Sequence, residues 1–114
     1  MTQLHRIIVG LGTTGLSCAR YLRAKNEPFE VVDSRLNPPG LAQFKLEFPD
    51  VALSLGEFSE ELLCRADELL LSPGVSLQTP QIKAAAKAGV RIVGDIAVFC
   101  AAVQQPIVAV TGSN

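Results

Sequence analysis

The sequence predicts an α/β fold, in which an open and mostly parallel β-sheet carries helices on both faces. Short apolar runs rich in β-branched residues alternate with amphipathic segments along the whole chain. The chain has 114 residues, the size of one domain, and its 48% apolar and 18% charged residues are ordinary globular usage. Because parallel strands need crossover connections, this alternation places helices on both sides of one sheet. We expect six strands and five helices.

Three strands and three helices are predicted in the first half of the chain. The first apolar run stops at Gly10, Pro28 follows the end of the first helix, and the Pro-Pro-Gly segment at residues 37–40 predicts a loop. Ser59 precedes two acidic residues, which suit the positive N-terminus of a helix. The strands are expected at residues 5–9, 29–33 and 51–55, and the helices at residues 14–24, 41–48 and 59–65.

The second half continues the alternation. A fourth strand at residues 68–72 is stopped by Pro73 and Gly74, and Thr79 with Pro80 predicts a helix start. Apolar residues then recur at helical spacing, at Ile82, Ala85, Ala86 and Gly89. A fifth strand at residues 91–93, a helix capped by Asp95 and ended by Pro106, and a last strand at residues 107–110 complete the pattern.

Composition excludes several classes of function. The formal net charge is −1 and no basic run is present, so nucleic acid is not an expected partner. No apolar run approaches the length of a signal peptide core or of a membrane span, so we expect a cytoplasmic protein with no membrane partner. Cys18, Cys64 and Cys100 are odd in number and far apart, which favours buried thiols over a metal site.

The strongest local motif is a glycine-rich loop between the first strand and the first helix. Gly10, Gly12 and Gly15 form a G-x-G-x-x-G, typical of the phosphate-binding turn of Rossmann-like domains. Gly10 permits the tight turn, Gly12 lets a phosphate approach the backbone, and Gly15 lets the helix pack against the strand. Thr13 and Thr14 add hydroxyl donors at the helix N-terminus. The alternative is a tight turn with no ligand.

Two further segments belong at the same edge of the sheet. Asp33 ends the second strand at the position where dinucleotide folds keep a ribose-binding acid, and Ser34 and Arg35 follow it. Asp33 could instead be a helix cap or a solvated loop acid, and Arg35 an exposed surface charge or a contact to a 2′-phosphate. Gly74, after the fourth strand, lets backbone approach a ligand, or belongs to an ordinary turn.

The last residues resemble the start of a second phosphate-binding loop. A β-branched strand enters a turn of Thr111, Gly112, Ser113 and Asn114, but no Gly-Lys-Ser/Thr follows. We interpret this as a truncated ATP loop, the alternative being a coincidental turn. No catalytic constellation is evident, since the only histidine, His5, precedes the first strand and suits a structural role. The sequence therefore predicts a binding domain with no catalytic residues of its own.

These motifs occur together in the order of one enzyme family. They are residues 10–17, Asp33-Ser34-Arg35, Pro38-Pro39-Gly40, Ser72-Pro73-Gly74, Gly94-Asp95-Ile96 through Phe99, and Thr111-Gly112-Ser113-Asn114. This combination resembles the N-terminal domain of the UDP-N-acetylmuramoyl-L-alanine:D-glutamate ligases, the MurD family. The resemblance implies a UDP-substrate-binding domain at residues 1–106, with residues 107–114 as the first strand and truncated start of an ATP-binding central domain.

The resemblance also implies a reaction and residue roles. Family enzymes join D-glutamate to UDP-N-acetylmuramoyl-L-alanine through an acyl phosphate, consuming ATP with Mg²⁺, in peptidoglycan synthesis. By position, Thr13 and Thr14, within the loop formed by Gly12 and Gly15, would meet the pyrophosphate. Asp33, Ser34 and Arg35 would surround the uracil, with Gly74 close to the nucleotide. This stretch alone is expected to bind the UDP moiety, to hold no cofactor and to be inactive.

Two other functions fit the glycine loop and Asp33. One is the coenzyme-binding domain of an NAD(P)-dependent dehydrogenase, and the other is a nucleotide-sensing regulatory domain. The Thr-Gly-Ser-Asn ending favours the ligase hypothesis, because neither alternative requires a second phosphate loop there.

Overall fold

The computed structural model of the chain describes residues 5–94, which form one five-stranded parallel sheet with four helices. The strands are β1 (Arg6–Val9), β2 (Phe29–Asp33), β3 (Leu53–Leu55), β4 (Glu68–Leu71) and β5 (Arg91–Val93). The helices are α1 (Thr13–Ala24), α2 (Leu41–Glu47), α3 (Glu60–Cys64) and α4 (Pro80–Lys87). The predicted open α/β fold is confirmed.

The sheet order is β3-β2-β1-β4-β5, with β1 at the centre. Val9, the last residue of β1, pairs with Val32 of β2 and with Leu71 of β4, so these three strands end at nearly the same level. The chain leaves β3 at one edge and returns as β4 on the other side of β1. In open parallel sheets this reversal of strand order leaves a crevice at the carboxyl ends of the strands.

The two faces of the sheet carry separate apolar clusters. Ile8 points to one face, and Ile7 and Val9 point to the other, as the alternation of a strand requires. On the first face Ile8 packs with side chains of α1 and α2, which are Leu16, Cys18, Ala19, Leu22 and Phe44. On the second face Ile7 and Val9 pack with side chains of α3 and α4, which are Leu63, Ile82 and Ala85. Helices on both faces are therefore confirmed.

Element ends differ from the sequence prediction by one or two residues. The third strand begins at Leu53 rather than at residue 51, because the N–H of Val51 donates to the carbonyl of Phe48 in a turn. Thr79 occupies the N-cap position of α4 as predicted, but its hydroxyl donates to the carbonyl of Ser76 rather than accepting from the helix. No described helix is long and apolar enough to cross a membrane.

Several predicted features lie outside the described residues. They are the helix capped by Asp95, the strand at residues 107–110, the segment Thr111–Asn114, Cys100, and the division of the chain at residue 106. Cys18 is buried within the first apolar cluster, as expected, and Cys64 is half-buried against the second.

Candidate functional site

A cleft of about 600 Å³ opens at the carboxyl ends of β1, β2 and β4. It is bounded by the loops that follow these strands, by Phe58 after β3, by the first turn of α1 and by Thr79, the N-cap residue of α4. Its walls are formed by Gly10, Gly12, Thr13, Thr14, Asp33, Ser34, Arg35, Phe58, Ser72, Pro73, Gly74, Val75, Ser76 and Thr79. The cleft therefore lies at the reversal of strand order, where open α/β sheets bind ligands.

The three loop glycines have three different environments. Gly10 has φ +107°, which favours glycine, and a Cβ on it would lie 2.9 Å from the Cβ of Ser72. Gly15 is buried, and a Cβ there would overlap the carbonyl oxygen of Gly10. Nothing lies within 4 Å of a Cβ placed on Gly12, which faces the cleft. Gly10 and Gly15 thus allow close packing, whereas Gly12 leaves space open to a ligand.

The N-terminus of α1 faces the cleft without internal partners. The first backbone hydrogen bond of the helix runs from the N–H of Leu16 to the carbonyl of Gly12, at 2.9 Å. Within residues 5–94 no group accepts from the N–H groups of residues 12–15. The first turn has no acidic residue, and Gly12 makes no side-chain cap. These N–H groups and the helix dipole leave a partial positive charge at the cleft.

Asp33 is buried at the end of β2, and only 2% of its surface is exposed. Its Oδ2 accepts from the N–H of Leu11 at 2.6 Å and from Nη2 of Arg35 at 2.7 Å. Its Oδ1 accepts from the backbone N–H and from Nε of Arg35, at 2.8 and 2.9 Å. Asp33 therefore links the glycine loop to the segment that follows β2.

The protonation state of Asp33 follows from this environment. Burial raises the pKa of the carboxyl, but the hydrogen bonds from the Arg35 side chain and from the backbone N–H groups of Leu11 and Arg35 outweigh it. The pKa of Asp33 is therefore below its usual value, and the pKa of Arg35 is raised by its hydrogen bonds to the same carboxylate. Both groups are charged at neutral pH.

The residues after β4 form the opposite wall. The hydroxyl of Ser72, which is buried, donates to the carbonyl of Gly10 at 3.0 Å. Its backbone N–H donates to the carbonyl of Val9, also at 3.0 Å. Gly74 is exposed and has φ +95°, which completes the turn. Ser72 thus fixes the glycine loop from β4 while Asp33 fixes it from β2.

The cleft brings together seven of the eight residues predicted to bind the nucleotide, namely Gly12, Thr13, Thr14, Asp33, Ser34, Arg35 and Gly74. Gly15 lies behind the loop, where it permits packing and does not line the cleft. The binding roles of all eight stay predictions. Sequence reasoning missed Phe58 and Ser76 as lining residues. Their position just after β3 and β4 was the one available indication, because loops at the carboxyl ends of neighbouring strands meet.

Metal-ligating side chains are not clustered within residues 5–94. No group of three or more His, Cys, Asp and Glu side chains among them could hold a metal ion. His5 lies before β1, at the end of the sheet opposite the cleft, and its Nε2 is 2.7 Å from Oε2 of Glu30.

The fold and the cleft define an open α/β domain of the Rossmann type with a glycine-rich loop between β1 and α1. The family of Mur ligase MurD-like N-terminal domains matches residues 4–94. The chain belongs to this family. It is 56% identical over 108 residues to the UDP-N-acetylmuramoylalanine–D-glutamate ligase of Coxiella burnetii, covering 95% of this chain and 24% of that protein. The corresponding ligase of Pseudomonas aeruginosa is 52% identical over 109 residues, covering 96% and 24%.

The chain thus spans 24% of the length of these curated relatives and matches the N-terminal part of the ligase family. Solved structures with the same fold include apo scyllo-inositol dehydrogenase of Lactobacillus casei, with TM-score 0.57 and 21% identity over 80% of this chain and 27% of that one. A chorismate mutase/shikimate 5-dehydrogenase fusion protein of Clostridium acetobutylicum has TM-score 0.53 and 13% identity, covering 91% and 47%. At these identities the likeness concerns the fold alone.

Proposed function

We propose that the cleft binds the uridine diphosphate part of UDP-N-acetylmuramoyl-L-alanine, for a cytoplasmic ligase that adds D-glutamate to this precursor. The observation that carries the proposal is the open N-terminus of α1, where Gly12, Thr13 and Thr14, whose N–H groups have no acceptor within residues 5–94, line the same cleft as Arg35. A diphosphate is bound by hydrogen-bond donors and positive charge, which the N-terminus of α1 and Arg35 supply. A nucleoside needs an adjoining pocket, and the rest of the cleft supplies it.

The diphosphate fits the α1 side of the cleft. A helix N-terminus with free N–H groups is a general anion site, and Gly12 lets a phosphate approach because no Cβ occupies that space. Thr13 is exposed and Thr14 half-buried, so their hydroxyls can donate to phosphate oxygens. No acidic residue of the first turn opposes the charge.

In this proposal the uracil lies against the wall of the cleft that is formed by the residues following β2 and β3. Arg35 is 54% exposed at its side chain and keeps N–H groups for the carbonyl acceptors of a pyrimidine. Phe58 is half-buried and is the one aromatic residue lining the cleft in the described part of the chain. A flat base gains apolar contact from such a ring. Ser34 is exposed at the same wall.

The chemistry of ligation is assigned to parts of the protein beyond this domain. We propose that ATP, Mg²⁺ and D-glutamate serve the full ligase, which forms an acyl phosphate on the substrate carboxylate before the amine attacks. Among residues 5–94 no group of three or more His, Cys, Asp and Glu side chains could hold a metal ion, and the proposal places Mg²⁺ outside them. We keep as part of the proposal the domain division at residue 106 and the ATP-loop role of Thr111, Gly112, Ser113 and Asn114. The 114-residue chain alone is expected to release no phosphate from ATP.

Titration by two-dimensional NMR tests the proposal directly. The chain is titrated in parallel with UDP-N-acetylmuramoyl-L-alanine, UDP, NAD and ADP. Shifts clustered at residues 10–15, at Asp33–Arg35 and at Gly74 with the two uridine ligands, and none with NAD or ADP, are expected. Shifts with NAD alone would replace the proposal by the dehydrogenase hypothesis. Gly12→Val serves as the blocked-cleft control, because its side chain would occupy the space assigned to phosphate.

A further inference from the structure

We propose that Gly40 is a positioning residue for the diphosphate, because its N–H holds the Leu11 carbonyl and thereby directs the N–H of Gly12 into the cleft. This role rests on the proposed function and adds to it a residue from outside the cleft. Gly40 belongs to the Pro38-Pro39-Gly40 segment that precedes α2, and none of these three residues lines the cleft. Any contribution of the segment to binding is therefore indirect.

One hydrogen bond connects this segment to the glycine loop. The N–H of Gly40 donates to the carbonyl of Leu11 at 3.1 Å, and both residues are buried. The N–H of Leu11 belongs to the preceding peptide group and donates to Asp33 at 2.6 Å. The bond from Gly40 therefore acts on a different peptide group, the one between Leu11 and Gly12.

The orientation of that peptide group decides what the cleft presents to an anion. The group is trans, so its C=O and its N–H point in opposite directions. Because the Leu11 carbonyl points to Gly40, the N–H of Gly12 points away from Gly40, and Gly12 lines the cleft. Within residues 5–94 this N–H has no acceptor. Rotation of the group would turn the carbonyl oxygen, with its partial negative charge, toward a phosphate instead.

The loop itself does not fix this orientation. Gly10 and Gly12 flank Leu11, and glycine adopts more backbone conformations than any other residue, so a peptide group beside it rotates readily. Gly40 is held more firmly, because its carbonyl accepts from the N–H of Phe44 at 2.9 Å in the first turn of α2. Phe44 is 1% exposed and packs in the first apolar cluster. The Gly40 bond thus ties the loop peptide to the core.

The absence of a side chain at residue 40 permits this contact. A Cβ on Gly40 would lie 3.2 Å from the carbonyl oxygen of Leu11 and 3.1 Å from Cδ1 of Leu16. The φ of Gly40 is −91°, which any residue adopts, so glycine is required here by the close approach and not by its conformation. Gly40→Ala is therefore expected to push the Leu11 carbonyl away by a few tenths of an ångström while α2 still forms.

The decisive experiment compares a ligand that carries phosphates with one that does not. Affinities of UDP and of uridine are measured by NMR titration for the wild-type chain and for Gly40→Ala. The substitution is expected to weaken UDP by about tenfold, the loss of one hydrogen bond to a charged group, and uridine by less than about twofold. Only UDP carries the phosphates that meet the N–H of Gly12. Ile82→Val, in the second apolar cluster, controls for lost stability and should leave both affinities unchanged.

Other outcomes overturn the role in different ways. Equal weakening of UDP and uridine would show that Gly40→Ala disturbs the whole site, and an unchanged UDP affinity would show that binding does not need the Gly40 bond. Either result overturns the positioning role and leaves the proposed function intact. Failure of the wild-type chain to bind UDP at millimolar concentration overturns the proposed function and this role together. The two failures are therefore distinguishable.

A second measurement uses the wild-type chain alone, in case Gly40→Ala does not fold. The scalar coupling across the hydrogen bond, between the amide nitrogen of Gly40 and the carbonyl carbon of Leu11, is measured by NMR with and without saturating UDP. The coupling is expected in both states, and the amide proton of Gly12 should shift downfield with UDP because it gains a phosphate acceptor. Absence of the coupling in the UDP-bound chain, or a Gly12 amide that UDP leaves unchanged, overturns the positioning role.

Discussion

Gly15 lies so close to Gly10 that a Cβ on Gly15 would overlap the Gly10 carbonyl oxygen. The contact joins the start of α1 to the end of β1, and both glycines are buried. Because the overlapping atom belongs to the backbone, it cannot move away as a flexible side chain would. The third glycine of the loop is thus required by packing, whatever the ligand.

The first prediction concerns that packing. Gly15→Ala is expected to lower the free energy of unfolding by about 1–3 kcal/mol, the usual cost of inserting a methyl group into a filled space. Urea denaturation measures it, and the denaturant slope should stay unchanged. Gly12→Ala is the matched control in the same loop, because nothing lies within 4 Å of its new Cβ and its φ of −123° suits any residue. Equal stability of Gly15→Ala and the wild type would contradict the assigned role.

The second prediction separates binding from folding at Gly12. Gly12→Val is expected to keep the fold, because the space around residue 12 is open on the protein side. It is expected to abolish UDP binding, because the branched side chain would fill the space in front of the α1 N-terminus. Denaturation and a calorimetric titration of the same preparation check both halves. Binding of UDP by the folded variant would show that the loop does not hold the diphosphate.

Much of this fold was predictable from local sequence. The apolar runs of β1 and β4 are buried as expected. On α4, Ile82 and Ala85 are buried, whereas Ala86 and Gly89, which were expected on the same apolar face, are exposed. The glycine loop was predictable because each position imposes its own steric requirement. The third strand was predicted to begin at residue 51, but β3 begins at Leu53. The N–H of Val51 instead donates to the carbonyl of Phe48 and closes a turn.

The candidate site was predictable in its positions but not in its internal bonds. Thr13 and Arg35 could be assigned to one edge because parallel strands end together. Nothing in the sequence indicated that the N–H of Leu11 would donate to Asp33, 22 residues away, or that Ser72 would donate to Gly10, 62 residues away. Such bonds depend on the register between strands, which local patterns do not specify.

The third prediction uses acid sensitivity to test the Asp33 pairing. The folded-state pKa of Asp33 is lowered, because the donated hydrogen bonds outweigh its burial. Its contribution to stability is therefore full above the unfolded-state pKa of about 3.9, and is lost as pH falls through the folded-state value. Asp33→Asn should flatten the acid limb of the curve of unfolding free energy against pH.

Asp67→Asn is the comparison variant for that acid limb. It also removes a carboxylate that accepts a backbone N–H, that of His5, but at an exposed position. If Asp33→Asn leaves the acid limb as steep as in the wild type, the carboxylate does not stabilise the fold through its ionised form.

The fourth prediction concerns an exposed ion pair beside α1. Hydrogen bonds from Arg20 and then from Gln43 lower the pKa of Glu47 to about 2. A pKa lowered in this way stabilises the fold above the unfolded-state value, and the effect disappears as pH falls toward 2. Carboxyl carbon NMR should detect the low pKa, and Arg20→Ala should raise it toward 4.5. Gln43→Ala should raise it less. A Glu47 pKa unaffected by Arg20→Ala would contradict the pairing.

The fifth prediction tests whether β4 fixes the glycine loop through Ser72. Its buried hydroxyl donates to the Gly10 carbonyl at 3.0 Å, so Ser72→Ala leaves that carbonyl without this donor. A loss of about 1–2 kcal/mol in unfolding free energy is expected, together with weaker UDP binding, because the loop that meets the diphosphate loses one of its two anchors. Ser54→Ala, at an exposed position on β3, should change stability by less than about 0.5 kcal/mol and leave UDP affinity as it is. If Ser72→Ala loses stability but keeps full UDP affinity, the predicted role of Ser72 in binding is wrong. The hydrogen bond from the N–H of Leu11 to Asp33 then suffices to hold the loop in its binding conformation.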